Sequence, residues 1–112
     1  MKLYHNPRCS KSRESLALLQ KKKAPVEVVE YLAHPPTVPE LRALLAALGM
    51  KAQDLVRTGE ALYKEKFAGK SLTEAEWVAA LAANPILIER PIFINGKKAV
   101  VGRPPERVLE IL

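Results

Sequence analysis

The feature that most constrains this chain is the run Ile92-Phe93-Ile94, Asn95-Gly96, Ala99-Val100-Val101 near its C-terminal end. Two apolar, β-prone stretches flank an Asn-Gly pair. That dipeptide suits a type I′ hairpin turn, in which both central residues need positive φ. An antiparallel strand pair is therefore predicted across 92–101. At the other end of the chain, Lys2 to His5 reads as a short strand halted by the loop signal Asn6-Pro7. Ser10 to Lys23 reads as a helix with Leu16 and Leu19 on its apolar face, and Pro25 breaks it. Val26 to Tyr31 is rich in β-formers and reads as a second strand. A crossover helix between two strands makes that pair parallel.

The middle of the chain is helical. After the turn His34-Pro35-Pro36, Thr37 and Glu40 form a capping-box pattern before Leu41, Leu44, Leu45 and Leu48, and Gly49 closes the helix. Residues 50–70 read as short helical pieces. Thr73 and Glu76 form a second capping box before Trp77, Val78 and Leu81, and Asn84-Pro85 ends that helix. Pro104-Pro105-Glu106 opens a final helix that carries Val108, Leu109, Ile111 and Leu112. The predicted order is β-α-β-α(α)α-β-β-α: an α/β fold with a mixed four-stranded sheet and an inserted helical segment. At 112 residues the chain is the size of a single domain spanning 1–112.

Several function classes are disfavoured at this stage. The longest uncharged stretch, Trp77 to Ile88, is 12 residues, short of the ~18 a membrane span needs. The first residues carry no apolar signal-peptide core, so a cytoplasmic location is expected. The formal charge is +6, yet the basic residues are dispersed. The one compact run, Lys21-Lys22-Lys23, falls where a helix ends and complements its dipole, so no nucleic-acid partner is expected. A single cysteine allows neither an internal disulfide nor a Cys-x-x-Cys metal pair, and the two histidines stand far apart, so no metal site is expected.

Cys9 is the candidate for chemistry. Lone cysteines are often small buried hydrophobes, but His5-Asn6-Pro7-Arg8-Cys9-Ser10-Lys11-Ser12-Arg13 is polar and cationic. It lies between a strand and a helix start, where free backbone N–H groups and neighbouring cations favour a thiolate. A phosphatase loop of the C-x₅-R type is excluded because Ser15 stands where its arginine would be. A dithiol of the thioredoxin type is excluded by Ser12. What remains is a monothiol Cys-x-x-Ser site in a βαβ unit. On spacing alone His5 is either an ordinary strand-end residue or a partner of the thiol. Ser12 either donates to the thiolate or serves the first helical turn.

With these residues in view, His5-Asn6-Pro7-x-Cys9 followed by Ser12 and Arg13 resembles the signature of the glutaredoxin-linked arsenate reductases of the ArsC type. The similarity extends over Tyr31-Leu32, Pro35-Pro36, Leu55-Val56-Arg57, Pro85 to Ile92 and Gly102-Arg103-Pro104. The resemblance implies a thioredoxin-like fold, with Cys9 attacking arsenate and His5 tuning the cysteine. It further implies that Arg57, Arg90 and Arg103 hold the oxyanion, and that Pro91 is a cis-proline before the third strand. Guanidinium suits such an anion because its planar fork makes two parallel bonds and stays charged. Arg8 adds charge at a position where family members often carry a small residue.

Reducing As(V) to As(III) takes two electrons, which thiols supply by joining two sulfurs. This chain has one, so no bound cofactor is expected and glutathione is expected as reductant, with glutaredoxin clearing the mixed disulfide. Two alternatives stand beside this reading. One is a thiol reductase acting on another oxyanion or a glutathionylated substrate. The other is a regulatory module that binds RNA polymerase, similar to the Spx regulators, which share the fold and the Arg-Pro-Ile segment. Those regulators tend to carry Cys-x-x-Cys and a longer C-terminal tail, whereas Ser12 stands here and the sequence stops at Leu112.

Overall fold

The computed structural model describes residues 1–112. They form two compact units, Met1–His34 with Arg90–Leu112, and Pro35–Glu89. No helix is long and apolar enough to cross a membrane.

The first unit holds β1 (Lys2–His5), α1 (Ser10–Lys21), β2 (Glu27–Glu30), β3 (Ile92–Asn95), β4 (Lys98–Val101) and a terminal 3₁₀ segment, Pro105–Ile111. The sheet order is β2-β1-β3-β4, with β1 parallel to β2 and antiparallel to β3. This is the mixed four-stranded sheet that the element order predicts. Register explains the core. Leu3 lies opposite Phe93, and Phe93 opposite Val100. Residues directly opposite one another share a sheet face, so the three form one apolar row. Leu19 of α1 and Val108 of the 3₁₀ segment complete a buried cluster on it.

Three sequence expectations need correction here. First, α1 ends at Lys21, not Lys23. Lys23 adopts φ 55°, and the Lys23 and Ala24 N–H groups donate to Gln20 and Leu19 carbonyls at 2.9 and 3.1 Å. This is a Schellman closure, with lysine in the left-handed slot that glycine usually fills. Second, the hairpin turn is centred one residue later than expected. Asn95 pairs with Lys98, so Gly96 and Lys97 are the central residues. Of these two, only Gly96 has positive φ, 62°. That pattern belongs to a type II′ turn rather than type I′. Asn95 instead uses its side chain, donating from Nδ2 to the Ile111 carbonyl at 2.7 Å. Third, the final helix is 3₁₀ rather than α. Three residues per turn stack Pro105, Val108 and Ile111 along one edge, the edge that faces the core.

The second unit contains α2 (Val38–Leu48), α3 (Ala61–Lys66) and α4 (Glu74–Ala83), with 3₁₀ turns at Ala52–Leu55 and Pro85–Leu87. Both predicted capping boxes are present. Thr37 accepts from the Glu40 N–H while the Glu40 carboxylate accepts from the Thr37 N–H, and Thr73 and Glu76 repeat the pattern. Leu41, Leu44 and Leu45 of α2 and Trp77, Val78 and Leu81 of α4 are buried. Tyr63 and Phe67 lie against the Trp77 ring, with centroids 6.4 and 5.8 Å away. A short antiparallel bridge joins Val56 to Ile88. It is framed by Arg57 N–H to Leu87 O at 2.7 Å and Glu89 N–H to Leu55 O at 2.9 Å.

Candidate active site

The site is built where β1 hands over to α1. Asn6 shapes that handover and is itself buried. Its Oδ1 accepts from the Arg8 N–H at 3.0 Å, its carbonyl accepts from the Cys9 N–H at 3.0 Å, and its own N–H donates to Ser12 Oγ at 3.0 Å. The loop is tightened further by Arg13, which donates from Nη1 to the Pro7 carbonyl at 2.9 Å. Cys9 then sits at the N-cap of α1 in extended conformation, φ −95°, with its sulfur part-exposed.

As a thiol, Cys9 makes no capping hydrogen bond. Ionised, it has donors on several sides. Burial opposes ionisation, but the Ser12 N–H, the Arg90 guanidinium and the Lys11 N–H together outweigh it and hold the thiol below its ordinary range. Arg103 adds a geometric contact, Nη2 to Cys9 Sγ at 3.6 Å. The same guanidinium donates from Nε to the Arg90 carbonyl at 2.8 Å, so the two arginines are coupled through the backbone. The Arg90–Pro91 bond is cis, and so is Arg103–Pro104, which sequence reasoning missed.

Ser12 and His5 form a buried pair, Ser12 Oγ to His5 Nδ1 at 2.7 Å. Burial lowers the His5 pKa, with Glu30 opposing and Arg13 assisting. Ser12 Oγ also accepts from the Asn6 N–H at 3.0 Å, so the His5–Ser12 pair is tied to the loop backbone. The Ser12 hydroxyl is thus engaged with His5 and the Asn6 N–H of the loop, and it is the Ser12 backbone N–H that faces the sulfur.

Arg57 stands in the second unit. Its Nη1 meets Glu89 Oε1 at 2.6 Å and its Nε meets Glu60 Oε1 at 3.4 Å, all three side chains part-buried. Sequence reasoning also passed over Ser15 and Gly102. Ser15 is fully buried in α1 and donates to the Pro105 carbonyl at 3.2 Å. Gly102 donates from its N–H to the Pro91 carbonyl at 2.8 Å. A Cβ at that position would come within 2.6 Å of Ser15 Oγ and 2.8 Å of Pro91 Cγ. The Gly-Arg-Pro string was visible in the sequence, but the crowding that demands glycine arises between segments far apart in the chain. No group of three His, Cys, Asp or Glu side chains is placed to hold a metal ion.

A thiolate cradled by helix N–H groups and two guanidinium groups is equipped to attack, and to hold, a small tetrahedral oxyanion. Comparison with known proteins decides the family. The ArsC family model matches residues 4–111. The chain belongs to the ArsC family. Among its relatives, the uncharacterized protein YfgD of Escherichia coli K12 is 52% identical, covering 100% of this chain and 96% of its own. A protein of Haemophilus influenzae named arsenate reductase is 46% identical over 98% of this chain and 97% of its own. The solved arsenate reductase of Vibrio cholerae superposes with a TM-score of 0.94 at 47% identity, covering 100% of this chain and 98% of that one. The thioredoxin-like α/β fold implied by the ArsC resemblance is thereby shown.

Proposed function

We propose that this ArsC-family protein is an arsenate reductase working through Cys9. The observation that carries the reading is the environment of one sulfur: Arg103 Nη2 stands 3.6 Å from it, and Arg90 and the first N–H groups of α1 favour its ionised form. The Cys9 thiolate attacks As(V), forming an S–As bond as one As–O bond breaks; that oxygen leaves as water, carrying the proton of an arsenate hydroxyl and one taken from solvent. Arg90 and Arg103 hold the remaining oxygens and offset their negative charge. Glutathione then attacks this adduct. The glutathione thiolate bonds to the Cys9 sulfur as the S–As bond breaks, the electron pair of that bond stays on arsenic, and arsenite departs as As(III). Glutaredoxin removes glutathione from Cys9 by thiol–disulfide exchange. A reducing cytoplasm supplies both thiols.

His5 and Ser12 act here by holding the loop so that the Ser12 N–H meets the sulfur. The resemblance also assigns Arg57 to the anion. In its own unit Arg57 already pairs with Glu89 and Glu60, so Arg57→Ala separates two roles. A raised KM at unchanged thermal midpoint supports the assignment. A lowered midpoint with unchanged KM makes Arg57 a structural clamp.

The central test is arsenite formation with glutathione and glutaredoxin, wild type against Cys9→Ser. Turnover should fall to background in the variant. Single-turnover mixing of wild type with arsenate, without added thiol, should release no arsenite. Full-rate turnover with thioredoxin alone, or an active Cys9→Ser protein, would refute the mechanism.

A further inference from the structure

Arg103 reaches Cys9 from a four-residue segment, Gly102 to Pro105, that has no regular ladder of its own to fix it. The guanidinium is held by its Nε bond to the Arg90 carbonyl at 2.8 Å and the Arg103 N–H by the Val101 carbonyl at 2.9 Å, and the flanking backbone has two further anchors. On one side the Gly102 N–H donates to the Pro91 carbonyl at 2.8 Å. On the other, Ser15 Oγ donates to the Pro105 carbonyl at 3.2 Å from within α1. Ser15 lies two turns or less from Cys9 on the same helix, fully buried, and its oxygen occupies the space where a Gly102 Cβ would stand. The helix that presents the sulfur thus also grips the segment that presents the guanidinium.

We infer that Ser15 is a positioning residue, which with the bare Cα of Gly102 registers Arg103 on the Cys9 sulfur. The inference rests on the proposed thiolate chemistry of Cys9 but not on arsenate being the substrate. A buried serine hydroxyl in a helix commonly bonds back to its own preceding turn. This one crosses to another segment, and it does so at the carbonyl two residues after the arginine. Losing a neutral hydrogen bond of this kind should loosen the backbone behind Arg103 and lengthen its approach to the sulfur, with the Nε bond to the Arg90 carbonyl kept, rather than unfold the unit.

The readout is the pH profile of Cys9 alkylation by iodoacetamide, which needs no arsenate and so can fail independently of the reductase reading. Ser15→Ala should raise the alkylation midpoint in the same direction as Arg103→Ala, and slow alkylation near neutral pH by about threefold to tenfold. The deciding measurement is the double variant. If Ser15 acts through Arg103, adding Ser15→Ala to Arg103→Ala moves the midpoint no further. Gly102→Ala approaches from the other side: its Cβ crowds Ser15 and Pro91 and should raise the midpoint too. Three results would overturn the inference: an unshifted profile in folded Ser15→Ala, additive shifts in the double variant, or loss of the folded circular-dichroism spectrum in Ser15→Ala, which would make Ser15 merely structural.

Discussion

Helices α1, α2 and α4 begin on the same plan and end up with different chemistry. Each has an N-cap residue whose side chain faces the N–H of the third helical residue. In α2 and α4 that pair is Thr37 with Glu40 and Thr73 with Glu76, and each glutamate reaches back to the cap N–H. In α1 the pair is Cys9 with Ser12, and the first turn carries no acidic residue. The Cys9 N–H goes to the Asn6 carbonyl, and the Ser12 hydroxyl goes to His5 and the Asn6 N–H. A capping box consumes the positive end of a helix for stability. The start of α1 leaves it available to an ionised sulfur, and withholds the carboxylate that would repel an anion. These two positions set the start of α1 apart from the capping boxes, and Arg90 and Arg103 add the cations that face the sulfur.

The comparison can be broken most severely at the arginines, which neither α2 nor α4 has been shown to need. Arg90→Ala and Arg103→Ala should each lower kcat/KM for arsenate by roughly ten- to hundredfold, the cost of a charge-assisted hydrogen bond. Lysine at either position should restore only part of this, because it keeps the charge and loses the fork. Wild-type kinetics in both alanine variants would leave the helix end alone responsible.

A smaller effect is expected from moving the thiol. In a Cys9→Ser background, Thr37→Cys places a cysteine at an N-cap with Glu40 three residues on. Wild-type Cys9 should ionise below the ~8.5 of free cysteine, so its alkylation rate rises through a lower midpoint as pH increases. The cysteine at position 37 should titrate higher, because Glu40 disfavours the anion. Equal midpoints would mean that any helix start suffices and that the cationic loop is incidental.

The smallest effect belongs to the caps themselves. Thr73→Ala should cost about 1 kcal/mol of stability in thermal or denaturant unfolding. It should leave the Cys9 alkylation profile unchanged. A shifted profile would show that the two kinds of helix end are coupled.

Much of this was legible before any coordinates. Capping boxes are local: four consecutive residues contain both partners, so Thr37–Glu40 and Thr73–Glu76 could be read directly. Cys9 was legible as a candidate for the same reason, since its loop and its helix start lie within 5–13, but the cations that face its sulfur are Arg90 and Arg103, far along the chain. Local reading failed where a distant segment competed. Asn95 was expected in the turn, but a carbonyl at Ile111 claims its side chain, and the turn moved one residue. The terminal helix chose three residues per turn because the core beneath it lies along one edge.

Sequence alone determined the secondary-structure order and the mixed sheet, because short-range sterics and hydrophobic period decide those, and it singled out Cys9 as the candidate nucleophile. Only tertiary structure decided what surrounds the sulfur. Arg103 is 94 positions from Cys9, and Ser15 is 90 from Pro105. No periodicity links such residues. They meet because Leu3, Phe93 and Val100 align in one sheet row that α1 and the 3₁₀ segment must cover. Burying that row brings the helix bearing the cysteine and the segment bearing the arginine together, and the space left between them admits a serine hydroxyl only if Gly102 has no side chain.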